Sequence, residues 1–79
     1  MYDLRFDSDD PLDHLPRALD QLRRASMTLH SADVETGEDG GGRIRVRFTA
    51  SAEGMAETFG HRVSGMIGIS GLNLTCANA

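Results

Sequence analysis

The chain has 79 residues, a net charge of −4, one cysteine and four methionines. A single core of this size rarely supplies more than ~3–5 kcal/mol of stability, and the lone Cys76 excludes an internal disulfide as reinforcement. The acidic balance disfavours non-specific attraction to nucleic acid or to an anionic membrane. No apolar run approaches membrane length and no signal peptide is recognisable, so a reducing cytoplasm is the expected setting.

The first segment, MYDLRFD, alternates: Tyr2, Leu4 and Phe6 share one face, while Asp3, Arg5 and Asp7 share the other. That period predicts a half-buried strand. A polar loop over residues 7–12 follows. Leu15, Ala18, Leu19 and Leu22 then recur at helical spacing. With Asp13 as N-cap, Pro16 falls in the first turn, where its missing N–H needs no partner. Ser26 to Glu35 predicts a second strand with Met27 and Leu29 on one face. The apolar phase shifts at Ala32 and Val34, which predicts a bulge or an edge covered by another chain.

Residues 36–42 form the next turn, and Arg43 to Thr49 the third strand, with Ile44, Val46 and Phe48 inward. Ser51 is the expected N-cap of a second helix carrying Met55, Ala56, Phe59, Val63 and Met66. Gly60 weakens that helix and Gly65 ends it. Ile67 to Leu74 is the fourth strand, interrupted at Ser70-Gly71. The order β-α-β-β-α-β is the ferredoxin-like, split βαβ arrangement, an α+β sandwich with two helices on one face of a four-stranded antiparallel sheet. The domain is expected to span 1–74, with 75–79 as a disordered tail.

Three features invite a functional reading. GEDGGG precedes a strand, not a helix, and carries Glu38 and Asp39, so it is a hairpin turn and not a phosphate cradle. Arg43, Arg45 and Arg47 alternate with core residues and share the open sheet face. Strand neighbourhood places Asp3 and Asp7 across from them, so the row is either an ion-paired face or a partner-docking surface. RNA-recognition domains use this strand, but with exposed aromatics that are missing here. Finally, His14, His30, His61 and Cys76 share no metal-ligand spacing, and no nucleophile, base and orienting group recur together. Neither an enzyme nor a resident cofactor is expected. With disulfide and metal set aside, a homodimer or docking on a larger partner is the expected source of further buried surface.

The segment LPRALDQLRRASMTLHSADV resembles one in the small regulatory subunits of acetohydroxyacid (acetolactate) synthase. Their ACT-type domain reads L-x-R-V-L-x-x-x-x-x-R-G-F-N/H-V/I-x-S. Leu15, Arg17, Leu19 and Ser31 fall on matching positions, and in VRFTASAEGMAETF so do Ala50, Ser51 and Phe59. The likeness covers roughly residues 1–74 and is greatest to the short, single-domain type. Ser26 stands where the family has Gly, Ala25 where it has Arg, and Thr28 where it has Asn or His. The family's L-N-K-L-V-D-V becomes His61-Arg62-Val63-Ser64-Gly65-Met66-Ile67.

The resemblance implies a non-catalytic, dimeric ACT-like subunit. It would bind and activate the catalytic subunit of a thiamine-diphosphate enzyme in branched-chain amino-acid biosynthesis, where the cofactor chemistry belongs to the partner. It also implies an amino-acid effector site between protomers at Asp10, Asp13, His14, Leu15, Thr28 and Leu29. Asp9, Asp10 and Asp13 would repel an effector carboxylate, so weak or absent effector binding is expected. Two rival readings stay open, a free-standing ACT-like amino-acid-binding dimer serving another enzyme and an RNA-binding domain.

Overall fold

In the computed structural model, which describes residues 1–52 and 54–76, alternation and helical spacing resolve into six elements. They are β1 (Tyr2–Ser8), α1 (Pro11–Arg24), β2 (Thr28–Thr36), β3 (Gly42–Thr49), α2 (Met55–Ser64) and β4 (Ile69–Cys76). The strands form one antiparallel sheet in the order β2-β3-β1-β4. Strand period puts Leu4 and Phe6 of β1 beside Ile44, Val46 and Phe48 of β3, and all five are essentially inaccessible. Both helices cover this face through Ala18 and Leu22 of α1 and Ala56, Phe59 and Val63 of α2. Phe48 anchors the layer: Phe59 meets it edge-on at 5.1 Å and Tyr2 stacks on it at 5.7 Å, geometries that aromatic quadrupoles favour.

Several boundaries differ from the sequence expectation. Helix α1 starts at Pro11 with Asp10, not Asp13, at the N-cap. Proline at the first helical position has its φ already set and no donor to lose. The Asp10 side chain makes no capping bond; instead the Asp10 N–H is held by Ser8 Oγ at 3.0 Å. Asp13 sits in the first turn and pairs with Arg17 at 3.2 Å. Pro16 therefore lies inside the helix, where it cannot bond the Leu12 carbonyl. Leu12 is 90% exposed, which leaves water to serve that carbonyl.

Helix α2 is capped by Gly54 at φ +88°, not by Ser51, and ends at Gly65 as its sequence predicts. The turn after α1 takes Ser26 and Met27 out of the expected second strand. The phase change in β2 is a bulge, with the register shifting between Leu29 and Ser31. Leu29, Ala32 and Val34 consequently all face the helix side, opposite Phe48, Val46 and Ile44. Strand β4 begins at Ile69 and runs two residues past the expected end. Thr75 and Cys76 pair with Asp3 and Tyr2, so neither belongs to a disordered tail; residues 77–79 lie outside the described residues. A second irregularity falls opposite Arg5 to Asp7, where Gly71 adopts φ +61°.

Candidate functional site

Three places gather the residues singled out above: the end of the sheet where α1 begins, the turn after α1, and the open sheet face.

At the first, β1 hands over to α1 through Asp9 and Asp10. His14, 3% exposed, ties this loop to the segment before β4. Its Nε2–H donates to the Ile67 carbonyl at 2.9 Å. Its Nδ1 is hydrogen-bonded to the Ser8 hydroxyl at 2.5 Å, and Ser8 Oγ also accepts the Asp10 N–H. The Asp9 N–H adds a backbone bond to the Gly68 carbonyl at 3.0 Å. Every polar atom of this buried relay has a partner, so His14 is a brace between two loops with no ring nitrogen left for a ligand.

The six residues carried over as an effector site do not converge within one chain. Asp10, Asp13 and His14 lie at the α1 end, while Thr28 and Leu29 begin β2 at the far end, opposite Thr49 and Phe48. Leu15 packs against the core. The N-terminus of α1 offers an anion little. Pro11 has no N–H, and the Asp13 and His14 N–H groups go to the Asp10 carbonyl at 3.1 and 2.9 Å. That leaves Leu12. Beside this end lies a cleft of about 570 Å³ lined by Asp7, Asp9, Glu35 and Asp39 against one cation, Arg43. An effector carboxylate meets mostly negative charge there. The GEDGGG segment is indeed a turn: Gly37–Gly41 link β2 to β3, with the Gly37 N–H bonded to the Gly41 carbonyl at 2.8 Å.

The turn after α1 is a Schellman arrangement. The Met27 N–H returns to the Leu22 carbonyl at 3.2 Å and the Ser26 N–H to the Arg23 carbonyl at 3.0 Å. The motif needs a left-handed residue at its pivot, and Ser26 takes that role at φ +57°, the one non-glycine residue with positive φ among the described residues. Buried Met27 and Leu22 supply the apolar contact that accompanies the motif.

On the open face, register sets out a grid. Ser31, Arg47, Asp3 and Thr75 form one row across the four strands; Asp33, Arg45, Arg5 and Asn73 the next; Glu35, Arg43, Asp7 and Ser70 the third. The arginine row thus runs between two acidic strands. Four carboxylates and four arginines cancel on this face. Sequence reasoning anticipated Asp3 and Asp7 but missed Asp33 and Glu35, because the β2 bulge alters their parity.

Asp3 does not pair straight across with Arg47. It leans to Arg45, which reaches it through Nη2 at 2.7 Å and Nε at 3.1 Å, and to Arg5 at 3.3 Å. The Asp3 side chain is only 7% exposed. The Arg45 hydrogen bonds hold its carboxyl below the ordinary aspartate range, against the opposing effect of burial and with a smaller contribution from Arg5. Arg43 meets Asp7 at 3.2 Å. Arg47 has neither partner: its Nε is buried and lacks an acceptor among the described residues.

No protein-family model matches the chain, and no curated protein sequence does so either. Similarity appears at the level of structure. The C-terminal domain of the MgtC protein from Mycobacterium tuberculosis superposes with a TM-score of 0.79 at 10% identity, over 94% of this chain and 83% of that one. The ACT domain from GTP pyrophosphokinase of Chlorobium tepidum gives 0.76 at 8% identity, covering 94% and 95%. A formyltetrahydrofolate deformylase from Pseudomonas putida KT2440 gives 0.74 at 18% identity; 99% of this chain matches 29% of that enzyme. Element order, sheet order and these superpositions together give the chain the ferredoxin-like fold of ACT domains.

Proposed function

We propose that the chain is a non-catalytic regulatory subunit that acts as a homodimer and activates the thiamine-diphosphate-dependent catalytic subunit of acetohydroxyacid synthase. The observation that carries this reading is the conformation of Ser26. The motif of those small subunits places Gly at this position. Here the residue is serine, yet it alone of the described non-glycine residues adopts the left-handed backbone that a glycine would supply. A glycine at this position would take the same conformation without crowding, which fits the alignment on which the resemblance rests.

The dimer reading rests on the β2 side of the molecule. β2 is an edge strand of nine residues with Leu29 44% and Val34 39% exposed. At helical spacing, Leu12, Leu15 and Leu19 share the flank of α1 away from its groove with α2. An edge with apolar side chains and unpaired backbone groups is a template for another strand. Antiparallel pairing of β2 with a second copy brings Thr28 and Leu29 of that copy to the α1 end of the first, the arrangement the effector site needs. The acidic lining there argues against an effector. Isothermal titration with valine, leucine and isoleucine is expected to show no micromolar binding; such binding by any of them favours the ligand-binding dimer instead. The cancelled charge of the open face argues against RNA.

The test of the main reading is co-purification: the chain is expected to copurify with an acetohydroxyacid synthase catalytic subunit as a stable complex. Two separate peaks in size-exclusion chromatography at micromolar concentrations overturn it.

A further inference from the structure

We infer that the cleft between the last turn of α1 and the first turns of α2 binds a small aliphatic carboxylate. α1 ends where α2 begins, which sets Arg24 and Ala25 opposite Met55, Phe59 and Arg62 around a concavity of about 500 Å³. Phe59 is buried and Ala25 and Met55 are half-buried, so the cleft has an apolar floor, with the exposed Arg24 and Arg62 at its rim. Among the described residues no carboxylate lines it, in a chain whose net charge is −4. Arg24 pairs with Asp20 through Nε at 2.8 Å. Arg62 bonds the neutral Gln21 Oε1 at 3.3 Å, and no carboxylate among the described residues matches its charge.

An apolar concavity of this size with a few polar groups to one side suits a small molecule. Arginine takes a carboxylate at two points, while an aliphatic body lies on Phe59 and Met55. Burial of that body supplies most of the affinity, since an ion pair at a wet rim contributes little; the arginines set the orientation. The surroundings then select among carboxylates. An ammonium group on the same skeleton meets two cations and no carboxylate, so an amino acid is rejected where its counterpart without the amine is accepted. A run of acidic residues is also disfavoured, because the adjoining groove toward Ile67 carries Asp13 and Asp20. None of the six residues implied for an effector lines this cleft, and the site does not depend on the identity of a catalytic partner.

The experiment titrates the protein calorimetrically with isocaproate, isocaproamide and leucine, which share one aliphatic skeleton and differ in charge. Isocaproate is expected to bind with a Kd below about 1 mM, and the amide and leucine at least 5-fold more weakly. Arg62→Gln should weaken isocaproate at least 3-fold. Met55→Glu sets a carboxylate in the cleft at the first position of α2, where a helix N-terminus favours it, and should abolish binding. Arg5→Gln, the same loss of charge on the open sheet face, should change the Kd by less than 2-fold. Amide chemical shifts of the wild type give the location without any substitution, and isocaproate should move those of Gln21, Ala25 and Thr58. Absence of isocaproate binding up to about 10 mM, equal binding of leucine, or shifts centred on the start of α1 overturns the inference. The regulatory-subunit reading is tested by copurification and stands or falls separately.

Discussion

Ser26 holds a backbone conformation in which its Cβ is crowded, at a cost of about 1 kcal/mol relative to glycine. Ser26→Gly is therefore expected to stabilise the domain by about 1 kcal/mol, which for a chain of this size raises the melting temperature by roughly 4–8 °C. Ser26→Val should lower it, since a β-branched residue tolerates positive φ least. Asp3 gives the second prediction at this scale. Its folded pKa is depressed, so its stabilisation is complete above the ordinary aspartate range and is lost as pH falls through the lower, folded value. Arg45→Gln removes the principal cause of that depression but leaves the burial. The loss then begins at higher pH, and the midpoint of acid unfolding followed by circular dichroism should move up. An unchanged midpoint contradicts the account of this pair. Asp3 was legible from parity alone as a residue facing the arginines. Its lean toward Arg45 was not, because register fixes which strands are neighbours but not how side chains share partners across rows.

Among the elements, α1 shows where local rules compete. The sequence offers two starts, and the later one spares Pro16 its lost bond. The chain takes the earlier one, since Pro11 suits the first helical position, Ser8 secures the Asp10 N–H, and burial of Pro11 and His14 requires the extra turn. Those gains depend on His14 reaching Ile67, 53 positions away, a contact no local pattern announces. Pro16→Ala, which restores a donor to the Leu12 carbonyl, should stabilise the protein by about 1–2 kcal/mol, the lost rigidity of the unfolded chain offsetting part of the gain. A destabilised variant in a urea titration would mean that the Pro16 ring itself packs productively. The β2 bulge was legible as a phase break, and the strand interiors through their alternation. The α2 start was misread because Gly54, unlike Ser51, carries no side-chain signal for an N-cap.

At the scale of the whole molecule, the helix side of the sheet is closed over β1, β3 and β4 and left open along β2. Val34→Lys places a charge on that apolar edge without touching the buried core. Sedimentation should show the wild type as a dimer and the variant as a folded monomer; a wild-type monomer at tens of micromolar would contradict the dimer reading. Architecture was legible throughout, because period, turn chemistry and element order all point to one fold. The proposed function rests on one motif, in which Ser26 stands where the resembled family has Gly and takes a backbone that glycine tolerates best. The measurement that reaches the central claim most directly is the turnover of an acetohydroxyacid synthase catalytic subunit titrated with this chain. The account predicts a rise that saturates at a fixed stoichiometry. Turnover that stays flat across a molar excess of the chain would contradict it.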